Sequence, residues 1–103
     1  MPTSRQFPRK PFRFGVQANS APDRKSWVDL SKRVEANGYS VLTLPDHFTD
    51  QLAPMPALMC AADVTSTLRL GALVWDNDYK HPLVFAKEIA TMDVLSEGRI
   101  ELG

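Results

Sequence analysis

Val41-Leu42-Thr43-Leu44-Pro45-Asp46-His47-Phe48 is an apolar run that stops abruptly at two groups able to carry charge or protons. Val41, Leu42 and Leu44 are strand formers, and the β-branched Val41 and Thr43 suit a pleated, buried strand. Pro45 has no N–H to give to a sheet ladder, so the strand ends there. Asp46 and His47 then stand just past its C-terminal end. In α/β sheets and barrels that is the end where ligands bind and chemistry is done.

Upstream, Phe12, Phe14 and Val16 alternate with Arg13, Gly15 and Gln17, the period of a strand over Phe12–Gln17. Gly15 in its middle implies close approach of another backbone or a ligand. Gln17, Ala18 and Asn19 fall at its C-terminal end. Ser20 and Asp23 are helix-cap residues. The following spacing predicts a helix from Arg24 to Asn37, with Trp27, Leu30 and Val34 on one stripe. Arg24, Lys25, Asp29, Lys32, Arg33 and Glu35 populate its polar face. Asn37-Gly38 stops it, glycine taking the left-handed conformation without a side-chain clash. Strand, helix and strand within about 30 residues make one βαβ unit with a right-handed crossover.

Downstream, Phe48 to Pro54 reads as a loop. A helix opens at Pro54-Met55-Pro56 and is expected to reach Thr65 or Ser66. Its Leu58, Met59, Ala61, Ala62 and Val64 make it unusually apolar, which suits either a subunit interface or a well-packed barrel helix. Leu68–Val74 is nearly continuous in apolar character, as in a parallel strand covered on both faces. The polar and aromatic stretch Trp75–Pro82 is the second site-like segment. Its Asp76, Asn77 and Asp78 form a solvated turn or a cation site, the turn being the commoner use of such residues. Trp75 either stacks on a ring or packs under the loop. A third helix is expected over Pro82–Leu95, with Leu83, Ala86, Ala90 and Asp93 on one side and Phe85, Ile89 and Met92 on another. His81 before Pro82 reads as a helix start rather than a metal ligand. Glu97-Gly98 turns the chain into a last strand, Arg99–Leu102.

The order β-α-β-α-β-α-β with short connections is α/β with a parallel sheet. It corresponds to the N-terminal half of a (β/α)8 barrel, a fold of about 250 residues. A four-strand open sheet competes, and the pattern leaves both standing.

Composition narrows the function classes. The chain has 103 residues, 12 basic and 12 acidic, so its formal net charge is zero and nothing in it invites nucleic acid or an anionic membrane. Hydrophobic residues at 44 % suit one globular domain. Cys60 stands alone, so neither an internal disulfide nor a multi-cysteine zinc site can form, and it reads as a small buried hydrophobe on a helix. No metal is expected. No apolar run approaches the roughly 20 residues of a membrane span, and no signal peptide is seen. A cytoplasmic setting follows by default. Residues 1–11 carry Pro2, Pro8 and Pro11 among Arg5, Arg9 and Lys10, and read as a mobile basic lead-in or a docking arm for an acidic surface. The domain proper is expected over residues 12–103.

Seven pieces, taken in order, resemble one family. They are Phe14-Gly15-Val16-Gln17, Glu35-Ala36-Asn37-Gly38-Tyr39, Pro45-Asp46-His47-Phe48, Leu68-Arg69-Leu70-Gly71, His81-Pro82, Ala90-Thr91-Met92-Asp93-Val94-Leu95-Ser96 and Gly98-Arg99-Ile100-Glu101-Leu102-Gly103. The resemblance is to the luciferase-like monooxygenase superfamily, and more closely to its deazaflavin-dependent oxidoreductase branch. It implies a TIM-type barrel binding a deazaflavin of the coenzyme F-420 type, or FMN as second choice, at the C-terminal strand ends. A small-molecule substrate and a homo-oligomer go with it. By position, His47 matches a histidine beside the cofactor ring that acts in proton transfer, with Asp46 before it. Leu73-Val74 falls where many members have a non-prolyl cis peptide behind the cofactor. Trp75 and Asn77 would line the ring or substrate side, and Gln17 would touch the cofactor from the first strand end. Thr49, Asp50 and Gln51 stand where sugar-phosphate-specific relatives have a tryptophan, which points away from sugar phosphates. The family's glycine-rich turn after strand four and its phosphate-binding loops fall beyond Gly103, so an incomplete chain is expected. The alternative is a non-catalytic half-barrel module that assembles with itself or a second chain through its two unpaired edge strands.

Overall fold

The computed structural model describes residues 7–103. Four strands, β1 (Gly15–Gln17), β2 (Val41–Leu44), β3 (Arg69–Ala72) and β4 (Ile100–Leu102), alternate with three helices, α1 (Arg24–Ala36), α2 (Pro54–Asp63) and α3 (Pro82–Leu95). The strands form one sheet in the order β1-β2-β3-β4, every neighbouring pair parallel. Of the expected lead-in, residues 1–6 lie outside the described residues, and residues 7–11 are exposed and carry no regular structure.

One face of the sheet carries the core. Leu42, Leu44 and Leu70 are fully buried against Trp27 and Val34 of α1, Leu58 and Ala61 of α2, and Met92 of α3. The opposite face is polar: Glu101 on β4 accepts from Arg69 on β3 at 2.8 Å and from Arg13, just before β1, at 2.6 Å. A flat sheet would hold its first and fourth strands about 14 Å apart at the usual spacing of about 4.8 Å. That Arg13 reaches Glu101 fits a sheet curled toward this face. Sequential strand order, with helices packed on one face only, is the winding of a barrel wall; doubly wound open sheets place helices on both faces.

The helix boundaries follow from local chemistry. The Asp23 carboxylate caps α1 by accepting from the Ser26 amide at 2.8 Å. Gly38, at φ +83°, ends it by bonding its amide to the Glu35 carbonyl. His81 caps α3, its Nδ1 accepting from the Leu83 amide at 3.1 Å.

Several expected ends are corrected. β1 begins at Gly15 rather than Phe12, because its partner β2 begins at Val41 and offers no ladder lower down; Phe12 and Phe14 are exposed. α1 ends at Ala36, Asn37 being its cap. β3 spans Arg69–Ala72 rather than Leu68–Val74. Its start is set by Glu35, which takes the Leu68 amide, and its end by Pro45, past which β2 is no longer a partner. A Cβ at Gly15 would lie 2.5 Å from Val41 Cγ1, a side chain, and 3.1 Å from the Val41 carbonyl oxygen, the backbone neighbour the glycine implied.

α2 stops at Asp63, short of Thr65, because two charged side chains seize the turn that follows. Glu35 Oε2 accepts from the amides of Ser66, Thr67 and Leu68 at 2.8, 2.8 and 3.0 Å. Burial pushes this carboxyl up, but the three amides and the Thr67 hydroxyl outweigh it and hold it below the usual carboxylate range. Arg99 takes the carbonyls of the same segment, donating to Ala62 O at 2.8 Å, Thr65 O at 3.2 Å and Leu68 O at 3.1 Å. Glu35 therefore leaves the solvated face assigned to it and serves as a clamp at the N-terminal end of the sheet.

Candidate functional site

At the opposite end, β2 and β3 finish side by side, Leu44 paired with Ala72. The loops that follow them enclose a pocket of about 300 Å³ with Asp46, His47 and Phe48 on one side and Trp75, Asp76 and Tyr79 on the other. Met55 of α2 and Phe85 of α3 complete its wall.

The loops are tied by polar bonds to the backbone. Asp46 Oδ2 accepts from the Asp76 amide at 2.9 Å, joining the end of β2 to the start of the next loop. Asp76 Oδ1 accepts from the Asp78 amide at 2.9 Å and so caps a 3-10 turn over Asn77–Tyr79. The Asp76-Asn77-Asp78 segment is therefore a turn. Gln51 Nε2 donates to the Pro45 carbonyl at 2.6 Å and folds the first loop back on its own strand.

Asp46, His47 and Trp75 line this pocket together. Asp46 spends its carboxylate on the Asp76 amide, so it fastens a loop rather than orienting the imidazole. His47 is exposed at the pocket's edge, free to meet a ligand. Trp75 is half-buried beneath the loop, edge-on to Phe85 with ring centroids 5.5 Å apart. Its buried indole N–H has no hydrogen-bond partner among the described residues.

Gln17, Leu73, Val74 and Asn77 lie outside the pocket. Gln17 is exposed at the end of β1, where the Thr43 hydroxyl donates to its Oε1 at 3.5 Å. The Leu73–Val74 peptide is cis, and the two side chains are 56 % and 57 % exposed, a bare apolar ledge at the end of β3. Asn77 is exposed in the 3-10 turn. Among the described residues, no three His, Cys, Asp or Glu side chains gather as a metal site, and no helix is long and apolar enough to cross a membrane.

Two contributors were not legible beforehand. Phe48 and Tyr79 contact edge to face at 4.5 Å, bridging the two loops over the pocket. Partial burial, then the carboxylates of Asp76, Asp46 and Asp78, raise the Tyr79 phenol above its ordinary value. Their shared aromatic character in neighbouring strand-end loops was the available signal; only the β2–β3 pairing shows that they meet.

Comparison with known proteins places this geometry. A family model described as luciferase-like monooxygenase matches residues 10–103. The chain is 35 % identical over 92 residues to 5,10-methylenetetrahydromethanopterin reductase of Methanopyrus kandleri, covering 87 % of this chain and 26 % of that protein. It is 33 % identical over 93 residues to an uncharacterised protein of Sinorhizobium fredii, again 26 % of that protein's length. Among solved structures, the coenzyme F-420-dependent tetrahydromethanopterin reductase of Methanopyrus kandleri superposes with a TM-score of 0.80 at 32 % identity, over 88 % of this chain and 26 % of the other. The FMN-bound oxygenating constituent of 3,6-diketocamphane monooxygenase from Pseudomonas putida gives 0.77 at 16 % identity, over 90 % of this chain and 29 % of the other, a likeness of fold alone. The chain thus spans about a quarter of the length of the curated relatives it matches.

Proposed function

This chain belongs to the luciferase-like monooxygenase family, and we propose from that premise that residues 12–103 are the cofactor-facing part of a cytoplasmic oxidoreductase that uses a deazaflavin of the coenzyme F-420 type. FMN is the second choice, and the substrate is a small molecule. One observation carries the reading. β2 and β3 end together, with a solvent-reachable imidazole, His47, past one strand and a bare apolar ledge, Leu73–Val74, past the other. A flat ring system needs an apolar seat, and Leu73 and Val74 would supply it, with Gln17 as a polar neighbour from β1. When bound, such a cofactor takes or gives a hydride.

A hydride transfer leaves a proton to be placed, and imidazole exchanges protons near neutral pH. His47 would hold or deliver that proton. Asp46 acts through structure, by holding the β3–α3 loop against the end of β2. Trp75, under that loop, sets the pocket floor.

The test is a titration of the chain with deazaflavin, followed by the cofactor's fluorescence. Saturable binding is expected, weakened on the order of tenfold by Leu73→Asp, a loss of about 1.4 kcal/mol. In a preparation that turns over, His47→Ala should cut the rate by about 10²–10⁴-fold and leave that binding in place. Unchanged turnover removes His47 from the chemistry. No binding of deazaflavin or FMN favours the other reading, a half-barrel module without catalysis.

A further inference from the structure

The pocket past β2 and β3 has a charge balance that the cofactor reading leaves unused. Two carboxylates, Asp46 and Asp76, line it. Each accepts a backbone amide through one oxygen, Asp46 from Asp76 and Asp76 from Asp78, both at 2.9 Å. An amide does not cancel a full charge, and neither carboxylate takes part in an ion pair among the described residues. Lys80 also lines the pocket, but its ammonium is paired with Glu88 of α3 and meets the Met55 sulfur at 3.2 Å. That cation is already balanced. His47 is the other basic group of the lining, and imidazole carries little charge above neutral pH. The pocket is therefore net negative.

Its walls are aromatic. Phe48 is 87 % exposed and Tyr79 41 %, so both rings are open to a ligand although they touch each other. An aromatic face attracts a cation through the ring quadrupole. The Tyr79 phenol reports the same field. Partial burial first, then the carboxylates of Asp76, Asp46 and Asp78, hold it above its ordinary value. A metal ion is a poor match, because it wants several hard oxygen ligands and no three His, Cys, Asp or Glu side chains gather among the described residues. Rings and carboxylates together suit an organic cation. At about 300 Å³ the pocket is at the small end for such sites, with room for one head group rather than a large molecule.

We propose that this pocket receives the cationic end of the substrate, an ammonium or similar organic cation carried on a ring, against Phe48 and Tyr79 and facing Asp46 and Asp76. This rests on the oxidoreductase reading in one respect, that the molecule bound beside the cofactor's seat is the substrate. Trp75 directly follows the Leu73–Val74 ledge in the chain, so a molecule held in the pocket lies next to that seat. The same carboxylates repel an anion of equal shape. The pocket thus selects by charge, through a repulsive element as well as an attractive one.

The experiment is calorimetric titration of the full chain, without cofactor, at about pH 8. Three probes of one shape are used: benzylamine, charged at this pH, the neutral benzyl alcohol and the anionic benzoate. Benzylamine should bind on the order of tenfold tighter than benzyl alcohol, and benzoate weakest. High salt should shrink the preference. Asp46→Asn with Asp76→Asn keeps the amide acceptors and removes the charge, so it should bring benzylamine level with benzyl alcohol. Phe48→Leu keeps an apolar wall without the quadrupole and should weaken benzylamine several-fold, leaving the alcohol nearly unchanged. No binding of benzylamine overturns the proposal, as does equal binding of all three probes. So does a preference that survives the double Asn variant. Deazaflavin binding without any preference for benzylamine removes this inference and leaves the cofactor reading standing. A benzylamine preference in a chain that binds no deazaflavin supports the cation pocket and removes the cofactor reading.

Discussion

The two ends of this sheet are held by different means. At the N-terminal end, one carboxylate and one guanidinium enclose the four-residue span Thr65 to Leu68: Glu35 takes three successive amides, and Arg99 takes carbonyls on either side of them. Those partners lie more than thirty residues away in the chain, 31–33 for Glu35 and 31–34 for Arg99. At the C-terminal end, one bond from the Asp76 amide to Asp46 ties two loops, and large apolar side chains stand in solvent, Phe48 at 87 % exposure. The first end is built to resist opening. The second is left with unfilled surface and few ties, as ligand-binding loops must be if they are to adjust. Barrel enzymes divide their labour along the same axis.

The sharpest way to break this contrast is at the clamp. Glu35→Ala leaves three amides without their shared acceptor, and Arg99→Met leaves the carbonyls. Hydrogen bonds to charged groups contribute about 1.5–3 kcal/mol each, so either change should cost about 3 kcal/mol after relaxation and water entry. For a chain of this size that lowers Tm by more than about 10 °C. Denaturant unfolding measures the loss directly. A cost below about 1 kcal/mol would mean that the two ends do not differ as described.

Acid should sharpen the same point. Glu35 titrates below the usual carboxylate range when folded. Its contribution is therefore complete above its unfolded value, near 4.3, and is lost as pH falls through the folded value. Glu35→Gln should be clearly less stable than the parent at neutral pH, and the gap should close as acid protonates the parent's carboxylate. Urea midpoints of both chains across the acid range test it; a constant gap would show that charge has no part in the clamp.

Much of this architecture was open to reading because it rests on local rules. Val41–Leu44 ends where Pro45 removes a donor, Gly38 takes the φ that a helix stop requires, and His81-Pro82 starts α3 where expected. Reading failed where a partner decides. Phe12 to Phe14 alternate like a strand, but alternation cannot tell that β2 begins only at Val41. Glu35 sits among charged residues on a helix face, and nothing in its spacing reveals a turn thirty residues on. α2 and α3 are equally apolar, yet α2 buries five residues and α3 only Met92; apolarity states that a cover is needed and not which surface gets it. At the site, His47, Asp46 and Trp75 were legible as a strand-end group, whereas the bond from the Asp76 amide that assigns Asp46 to the loop was not.

That bond gives the mildest test. Asp46→Ala removes the one acceptor joining the two loops, but the Asp76 amide it releases lies near the surface and can turn to water. The cost should be about 1 kcal/mol, the ordinary size for a single partly exposed bond. The effect should also be local. Hydrogen exchange at the Asp76 and Asp78 amides should quicken, because losing the first bond frees the cap of the Asn77–Tyr79 turn, while the amides of Ser66, Thr67 and Leu68 keep their protection. Asp46→Asn separates charge from geometry: its side-chain oxygen still accepts, so most of the protection at Asp76 should survive. If Asp46→Ala instead loosens Ser66 to Leu68 as well, the two ends open as one unit, and the division between a clamped end and an adjustable end would not hold.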